Sequence, residues 1–446
     1  MDKTVQKKLD KIMADHQKWL ADHSTGRPAY LDGLDLSGID LSGANLSGAI
    51  LVNCDLSKAN LCGVSFVGAR LDSVKFDHAK MSGATLTDAN LTDVSFYMAD
   101  LTQAIFRRAY MQKVDMPCAD LDEANLSGAS MRGTNFSGAH LSNSCLADTD
   151  LTCCTFSSAN LTYACLSGAN LTYARLCQTD LSRADLENAD LSHADLDKAI
   201  LTKARLFNTK MFRTTLIHAN LADANLWRAN MFDANLCGAV LTNADMDETN
   251  LAGVTLCEAN LAGASIRNAS LISANLSNAN FDGANLAESD LFNSNMNGAN
   301  VTGLFARGTN FTSVDLDGAS GLETVHCDYT TTGLALVPPE HGEYTAWKTA
   351  DVFLVKLLIP ETALRSSSTT RKCRASKAKV LGIYKLDGTP ADRVRVPSNY
   401  TSKFIYEVGK TVSVPDFDTN RWNECSTGIH HFLSMQEAID YAHPSP

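Results

Sequence analysis

The chain has few charged, aromatic and proline residues for its length. Among 446 residues, 20% are charged, 7% are aromatic and ten are proline. No apolar run is long enough to cross a bilayer, and the charged start of the chain lacks the apolar core of a secretory signal. The net charge of −12 disfavours general binding to nucleic acid or to an acidic membrane. These absences predict a cytoplasmic protein without a membrane segment. A long chain built from so few residue types is typical of a repeat protein.

The thirteen cysteines occur at irregular spacings. Without a secretory signal, such spacing favours reduced thiols over a disulfide framework. Cys237 and Cys257 lie 20 residues apart, as do Cys145 and Cys165, and we expect both pairs to be reduced. The histidines are scattered without the spacing of metal ligands. We therefore expect neither a metal nor a cofactor.

A period of five residues governs most of the chain. From Leu31 to Leu316, every fifth residue is a central apolar residue; 39 of these 58 positions are Leu, eight are Phe and eight are Met. Two positions earlier the residue is small, and 37 of 58 are Ala. This period fits neither a continuous helix nor a continuous strand, but it fits a coil with a corner every five residues. The central residue and the small residue would point inward.

Stretches such as Ala44-Asn45-Leu46-Ser47-Gly48 and Ala184-Asp185-Leu186-Glu187-Asn188 carry the A(D/N)LXX pattern. They resemble the repeats of the pentapeptide-repeat family. The resemblance implies an all-β right-handed quadrilateral β-helix, a solenoid with four pentads per coil, in which residues 20 apart stack on one face. We number the faces from the pentads of Leu31, Leu36, Leu41 and Leu46. Long stacking leaves open ends, which need caps.

The sequence predicts four segments. Residues 1–28 form an N-terminal helical cap, because apolar residues recur at helical spacing. The β-helix occupies residues 29–319, and residues 320–344 form a linker or cap. Residues 345–446 form a small α+β domain, with a buried strand at 352–359, further strands near 378–385, 403–408 and 410–414, and a helix that opens with the capping-box pattern of 434–437.

Large apolar residues stand at outward positions on two neighbouring faces. Phe207 and Trp227 follow central residues of face four. On face one the same position holds Phe212, Phe232, Ile272 and Phe292. Clustered apolar side chains at outward positions are typical of an interface. We expect them to bind a protein partner or a second copy of the chain; the alternative is that the C-terminal segment covers them.

Two stretches of the C-terminal segment carry side chains that could bind a ligand or act as a nucleophile. The first is a run of basic residues that could bind an anion or an acidic partner: Arg371, Lys372, Arg374 and Lys377. The alternatives are that this run is a solvated loop or that it docks on the acidic repeats of the same chain. Trp422, Glu424, Cys425 and His430 form the second candidate site. A nucleophile there lacks an identifiable oxyanion-stabilising group, so a structural role is favoured.

The C-terminal segment is also similar to a small domain of unknown function that follows pentapeptide repeats, often in bacteriophage proteins. The matching stretches are 371–374, 376–378 and 422–430. This resemblance implies a phage source, and hence the cytoplasm of a host, but it implies no activity.

The sequence therefore favours a non-enzymatic protein-interaction scaffold or inhibitor that acts on a host protein. One alternative is a DNA mimic that modulates DNA gyrase, as in the quinolone-resistance branch of the family, or a host nuclease. Residues 29–319 hold 32 acidic and 18 basic residues, a net charge of −14 with most of the excess on faces two and three. This charge density is about a third of that of duplex DNA. The other alternative is an enzyme activity in residues 345–446.

Overall fold

The computed structural model describes residues 3–328, 330–334, 342–367, 372–399, 401–418, 427–433 and 435–442. It contains two compact units, Met1–Asn280 and Phe281–Pro446. The first unit begins with helix α1, Lys3–Ala21, which the repeats follow. Among the described residues, no helix has both the length and the apolar character needed to cross a membrane.

The repeats of the first unit form parallel coils in which residues 20 apart pair. Five short strands stack on face one: β1 (Tyr30–Asp32), β2 (Ile50–Val52), β3 (Arg70–Asp72), β4 (Asn90–Thr92) and β5 (Tyr110–Gln112). Their registers, such as Leu31 opposite Leu51, all shift by 20 residues. Single parallel bridges continue the same offset to Asn280. Four pentads therefore make one coil, as predicted.

Backbone hydrogen bonds join neighbouring coils, and side-chain hydrogen bonds explain why the pattern favours Asp or Asn before the central residue. The N–H of Leu36 donates to the carbonyl of Asp55 in the next coil, at 2.7 Å. Within a pentad, the side-chain oxygen of the residue before the centre accepts a bond from the N–H two positions on. Asn225 accepts such a bond from Trp227 at 3.0 Å. This local turn is the usual role of Asp and Asn side chains in loops.

The interior of the coils is made by the two positions expected to point inward. Leu206 and Leu226 are fully buried, and so are Ala204 and Ala224, the small residues two positions before them. Each such Leu contributes about 1.5–3 kcal/mol relative to an exposed side chain. Inward aromatic rings stack between coils as well, with Phe136 and Phe156 at a ring separation of 4.8 Å. The hydrophobic core of the coils therefore consists of alternating large and small inward residues.

Helix α1 covers the first coil of the first unit. Leu9 and His16 are buried, and His16 Nδ1 accepts a hydrogen bond from the N–H of Ala29 at 3.0 Å. A Cβ atom at Gly48 would lie 2.9 Å from the indole of Trp19, and Gly48 has a φ of +69°. Only glycine suits that position. The N-terminal capping helix is therefore confirmed.

The second unit begins with further coils. Asn285 pairs with Phe305, and the pairing extends past the predicted end of the repeats, from Phe305 to His326 and from Asn310 to Thr332. A short 3-10 helix, Leu322–Thr324, lengthens the coil at this point. The central position of one of these pentads holds the small residue Ala306 instead of a large one. Two positions earlier, where a small residue is usual, stands the large residue Leu304, and both side chains are buried.

In the residues that the structure describes, the remainder of the second unit consists of small sheets and one helix. The strands are β6 (Tyr344–Ala350), β7 (Phe353–Ile359), β8 (Arg365–Ser367), β9 (Cys373–Ala375), β10 (Lys377–Lys385), β11 (Arg395–Ser398), β12 (Thr401–Glu407), β13 (Thr411–Ser413) and β14 (Ile429–His431), and α2 spans Met435–Ala442. Antiparallel sheets have the orders β13-β10-β7-β6, β14-β9-β8 and β11-β12. The fold class is confirmed, whereas the domain boundaries stay predictions.

One cysteine pair differs from the expectation of reduced thiols. Cys237 and Cys257 form a disulfide, with Cα atoms 4.7 Å apart. Cys145 and Cys165 also lie one coil apart, at the position before the central residue, but form no disulfide. The coil spacing brings stacked cysteines within the range that a disulfide requires.

Candidate functional site

Four aromatic side chains form two ring pairs on neighbouring faces, and we call them together the aromatic patch: Phe207 with Trp227, and Phe212 with Phe232. Phe207 and Trp227 lie one coil apart on face four, with ring centroids at 5.2 Å. On face one, Phe212 and Phe232 stack in parallel at 5.7 Å. Phe232 is 37% exposed, and the other three rings are partly exposed. The structure thus stacks four of the six apolar residues that the sequence singled out, in two pairs.

The remaining two predicted residues lie apart from the aromatic patch. Ile272 is on face one of the first unit, two coils beyond Phe232, and Ala252 occupies the position between them. Phe292 belongs to the second unit, where it is 45% exposed. Their binding role stays a prediction, and the aromatic patch does not depend on it.

Tyr173 and His193 extend the aromatic patch, and sequence reasoning missed both. The two rings stack at 4.9 Å, and His193 meets Phe212 edge-to-face at 5.3 Å. Both residues stand two positions after a central residue, one place further than the patch residues. Their spacing of 20 residues was the signal available in the sequence.

Two arginines lie over rings of the aromatic patch. The guanidinium carbon of Arg213 is 4.9 Å from the ring centroid of Phe212, and that of Arg228 is 4.5 Å from Trp227. Such cation–π contacts contribute about 0.5–1 kcal/mol at exposed sites. Arg213 Nε also pairs with Asp233 at 3.4 Å, and Arg228 Nε pairs with Glu248 at 2.7 Å. The aromatic patch therefore combines apolar area with two guanidinium groups, each of which is paired with a carboxylate.

The basic run of the C-terminal segment is not all on the surface. Arg374 is 1% exposed because it lies in the central strand of the β14-β9-β8 sheet. Its Nη1 donates to the carbonyl of Thr427 at 3.3 Å, and its Nη2 donates to Ser366 Oγ at 3.4 Å. The expectation that it contacts an external anion is therefore corrected. Lys372 and Lys377 are partly exposed, so their anion binding stays a prediction. Arg371 lies outside the described residues.

Only His430 of the second candidate site falls within the described residues; Trp422, Glu424 and Cys425 lie outside them. His430 pairs with Arg374 between β14 and β9, and its carbonyl accepts a bond from Lys348 Nζ at 3.1 Å. A nucleophile role for this site stays untested.

A buried polar cluster beside His430 was not predicted. His431 Nδ1 lies 2.9 Å from the carbonyl of Ile429, and His431 Nε2 lies 3.0 Å from the hydroxyl of Tyr344. Burial lowers the pKa of His431 to about 4 and that of Lys348 to about 8. Tyr344 and Lys348 share one side of β6, four residues apart, which was the signal in the sequence. Within the parts of the chain that the structure describes, no group of three or more His, Cys, Asp and Glu residues could hold a metal.

Two families match the sequence. The family described as pentapeptide repeats (8 copies) matches thirteen stretches that together cover residues 29–320. A family of unknown function (DUF5758) matches residues 334–438. The second match agrees with the expected C-terminal domain of unknown function. None of the curated proteins compared with the chain matches it.

Similar solved structures include other repeat proteins. HetL, a pentapeptide repeat protein involved in heterocyst differentiation regulation in the cyanobacterium Nostoc sp. strain PCC 7120, is 32% identical, with 44% of this chain and 87% of HetL covered and a TM-score of 0.29. Rfr23 from the cyanobacterium Cyanothece 51142 is 31% identical over 26% of this chain and 62% of its own, with a TM-score of 0.12. A trypsin-treated variant of QnrB1, a plasmid-mediated fluoroquinolone resistance protein, is 20% identical over 52% and 89%, with a TM-score of 0.19.

Proposed function

The chain belongs to the pentapeptide-repeat family, and on this premise we propose that it is a non-enzymatic interaction scaffold or inhibitor that holds a protein partner at its aromatic patch. The observation that carries the proposal is the pair of ring stacks, Phe207 with Trp227 and Phe212 with Phe232, at outward positions of a regular solenoid. Its backbone is hydrogen-bonded from coil to coil, so partner residues would meet a surface that is already ordered.

The composition of the aromatic patch supports a protein partner. Aromatic residues and Arg are enriched in the energetically dominant part of protein interfaces, and exposed apolar clusters often mark such sites. Trp227 under Arg228 is one such combination. HetL, described as involved in differentiation regulation, offers a precedent for a regulatory role. A phage origin, a host protein as target and a location in the host cytoplasm belong to this proposal.

The test replaces Phe212, Trp227 and Phe232 by Ser in one variant. These side chains point outward, so the coils should stay folded while the apolar contact surface is lost. Proteins of the source cell are captured on the wild type and on the variant, and the solution mass of each is measured by light scattering. We expect at least one protein to bind the wild type and to be lost from the variant. Equal capture by both would contradict the proposal.

A matched control separates this effect from a general loss of exposed rings. Tyr97, Tyr110 and Tyr163 are exposed on other parts of the first unit, and their triple Ser variant should keep the partner. A change in solution mass confined to the patch variant would instead identify a second copy as the occupant. New protease sensitivity of the C-terminal segment in that variant would identify an intramolecular cover.

DNA mimicry is less well supported than protein binding through the aromatic patch. Within residues 29–319, at least eight of the 32 acidic side chains are paired with a base from a neighbouring coil, as in Arg108 with Asp88 and Arg205 with Asp185. Pairing of this kind reduces the free negative charge that a mimic would present. A supercoiling assay with DNA gyrase tests the alternative, which predicts an effect at stoichiometric protein.

An enzyme activity in the C-terminal segment is the remaining alternative. The variant Cys425→Ser with His430→Ala should abolish any phenotype that depends on such an activity. Under the proposed scaffold function, this variant keeps the phenotype and the partner, whereas the patch variant loses both.

A further inference from the structure

Cys145 and Cys165 form a stacked pair of thiols on face four of the first unit. They lie 20 residues apart and pair in register through a parallel bridge. Both are reduced and partly exposed. In-register residues of neighbouring parallel strands direct their side chains to the same side of the sheet, with Cα atoms about 4.8 Å apart. The two thiols therefore leave neighbouring coils in the same direction.

The backbone on both sides of this pair is already fixed by hydrogen bonds. The N–H of Cys165 donates to the carbonyl of Ser144 at 2.9 Å, and the N–H of Leu146 donates to the carbonyl of Cys165 at 2.7 Å. A disulfide requires Cα atoms about 4.4–6.8 Å apart, and the coil spacing lies within that range. A bond between the two sulfur atoms therefore requires side-chain rotation but no movement of the coils.

The same chain contains a disulfide between stacked cysteines elsewhere in the first unit. Cys237 and Cys257 also lie one coil apart, and their Cα atoms are 4.7 Å apart. The coils around them keep the regular hydrogen bonds, such as that from the N–H of Gly238 to the carbonyl of Cys257 at 2.8 Å. A sulfur–sulfur bond between neighbouring coils therefore fits the solenoid without a break in its backbone pairing.

The reduced pair is held apart only by a weak contact. Cys165 Sγ lies 3.4 Å from Ser167 Oγ, two positions further along the same coil. A thiol is a weak hydrogen-bond donor and a weak acceptor. Rotation of the Cys165 side chain away from Ser167 therefore costs little and brings its sulfur towards Cys145.

The other cysteines outside the disulfide lack this combination of access and a stacked partner. None of them, in the described part of the chain, has a second cysteine at the matching position one coil away; Cys62, for example, stands between Ser42 and Ser82. Burial raises the pKa of Cys154 to about 12 and is the main reason why the pKa of Cys177 rises to about 11. Because the thiolate is the reactive form, these two thiols react slowly at neutral pH.

We infer that Cys145 and Cys165 are a redox-responsive pair, which hydrogen peroxide converts to a disulfide that joins two coils of the first unit. The thiolate of one cysteine attacks a peroxide oxygen, so the O–O bond breaks, a sulfenic acid forms and water leaves. The second thiol attacks this sulfur, the S–S bond forms, and a second water leaves. Overall, the two thiols lose two electrons and two protons, and one hydrogen peroxide takes them up as two molecules of water.

Oxidation should make this part of the first unit harder to open. The new bond closes a loop of 20 residues. A closed loop of this size restricts the unfolded chain enough to lower the equilibrium constant for opening about a hundredfold. A thiol reductant would reverse the change by exchange with the disulfide. The inference does not depend on the aromatic patch or on its partner.

The test treats the full-length wild type with a slight molar excess of hydrogen peroxide. The remaining thiols are then alkylated in denaturant, and the chain is cleaved before aspartate residues without a reductant. Cleavage at Asp148 and Asp150 separates Cys145 from Cys165. We expect mass spectrometry to find these two fragments joined after peroxide but not before it, and dithiothreitol to release them.

Three single variants identify the cysteines that react. Cys145→Ser and Cys165→Ser should each abolish the new link. Cys153→Ser is the matched control, because Cys153 is exposed and lies on the same fragment as Cys165 but on another face. This variant should keep the link. Hydrogen exchange in moderate urea should show about a hundredfold greater protection of residues 145–165 after oxidation of the wild type, and no gain in Cys145→Ser.

Three results would overturn the inference. The first is recovery of Cys145 and Cys165 as separate sulfinic acids without a link between them. The second is that both stay reduced while Cys62 is oxidised. The third is a link between two copies of the chain in place of the link within one copy, which electrophoresis without reductant detects.

Discussion

Mild acid should destabilise the second unit through one buried histidine. The carbonyl of Ile429 can only accept a hydrogen bond, so His431 Nδ1 donates to it, at 2.9 Å. Nε2 must then accept from the Tyr344 hydroxyl at 3.0 Å, which requires a neutral ring. Protonation would place a charge in a fully buried site near Lys348 and Arg365. Burial is the main reason why the pKa of His431 falls to about 4.

The size and sign of the effect follow from this pKa. The unfolded value is 6.5, above the folded value, so the folded state binds fewer protons than the unfolded state between these limits. The stabilisation is complete above pH 6.5 and declines as the pH falls towards 4. The free energy of unfolding of the second unit should decrease by about 2 kcal/mol between pH 7 and pH 5 through this residue alone.

Hydrogen exchange followed by mass spectrometry gives the test, on the full chain and corrected for the chemical exchange rate at each pH. Peptides from β6 and β14 report the second unit, and peptides from the coils of the first unit serve as an internal control. His431→Gln can keep a donor and an acceptor but does not titrate, so its loss of protection from pH 7 to pH 5 should be smaller by about 2 kcal/mol. Equal losses in the wild type and in His431→Gln would refute the reasoning.

Three further predictions concern the core, the disulfide and the buried arginine. Leu226→Ala removes a fully buried central residue and should lower the free energy of unfolding by about 2–5 kcal/mol in urea titration; a loss below about 1 kcal/mol would contradict the core assignment. Reduction of Cys237–Cys257, which closes a loop of 20 residues, should lower stability by about 3 kcal/mol in thermal unfolding, while the double Ser variant should not respond to reductant. Arg374→Ala should make the second unit sensitive to protease, whereas Lys372→Ala should not; equal sensitivity would count against the buried role of Arg374.

The repeats could be predicted from the sequence because their pairing offset is itself a sequence period. Once four pentads make a coil, Leu206 must stack near Leu226, and the outward Phe212 near Phe232. Local turn chemistry adds the Asn or Asp before each centre. The fold class and the two ring pairs of the aromatic patch could therefore be predicted without knowledge of distant contacts.

The parts that could not be predicted depend on side-chain direction or on contacts distant in sequence. Arg213 and Arg228 each follow, by one position, the aromatic residue whose ring they contact. The sequence does not show in which direction a side chain at that left-handed backbone position points. Arg374 looks like part of a surface basic run, but it is buried, with its guanidinium bonded to Ser366 and Thr427. The pairing of β14 with β9 joins residues more than 50 positions apart. Such long-range strand pairing leaves no local pattern.

The central claim is that the aromatic patch binds a protein, and its most direct test is a titration. The protein captured on the wild type is purified, and its dissociation constant is measured by calorimetry. We predict an affinity at least about a hundredfold weaker for the variant with Phe212, Trp227 and Phe232 replaced by Ser, since a dominant interface residue contributes about 2 kcal/mol or more. The variant with Tyr97, Tyr110 and Tyr163 replaced by Ser should match the wild type. An unchanged dissociation constant for the patch variant would contradict the account.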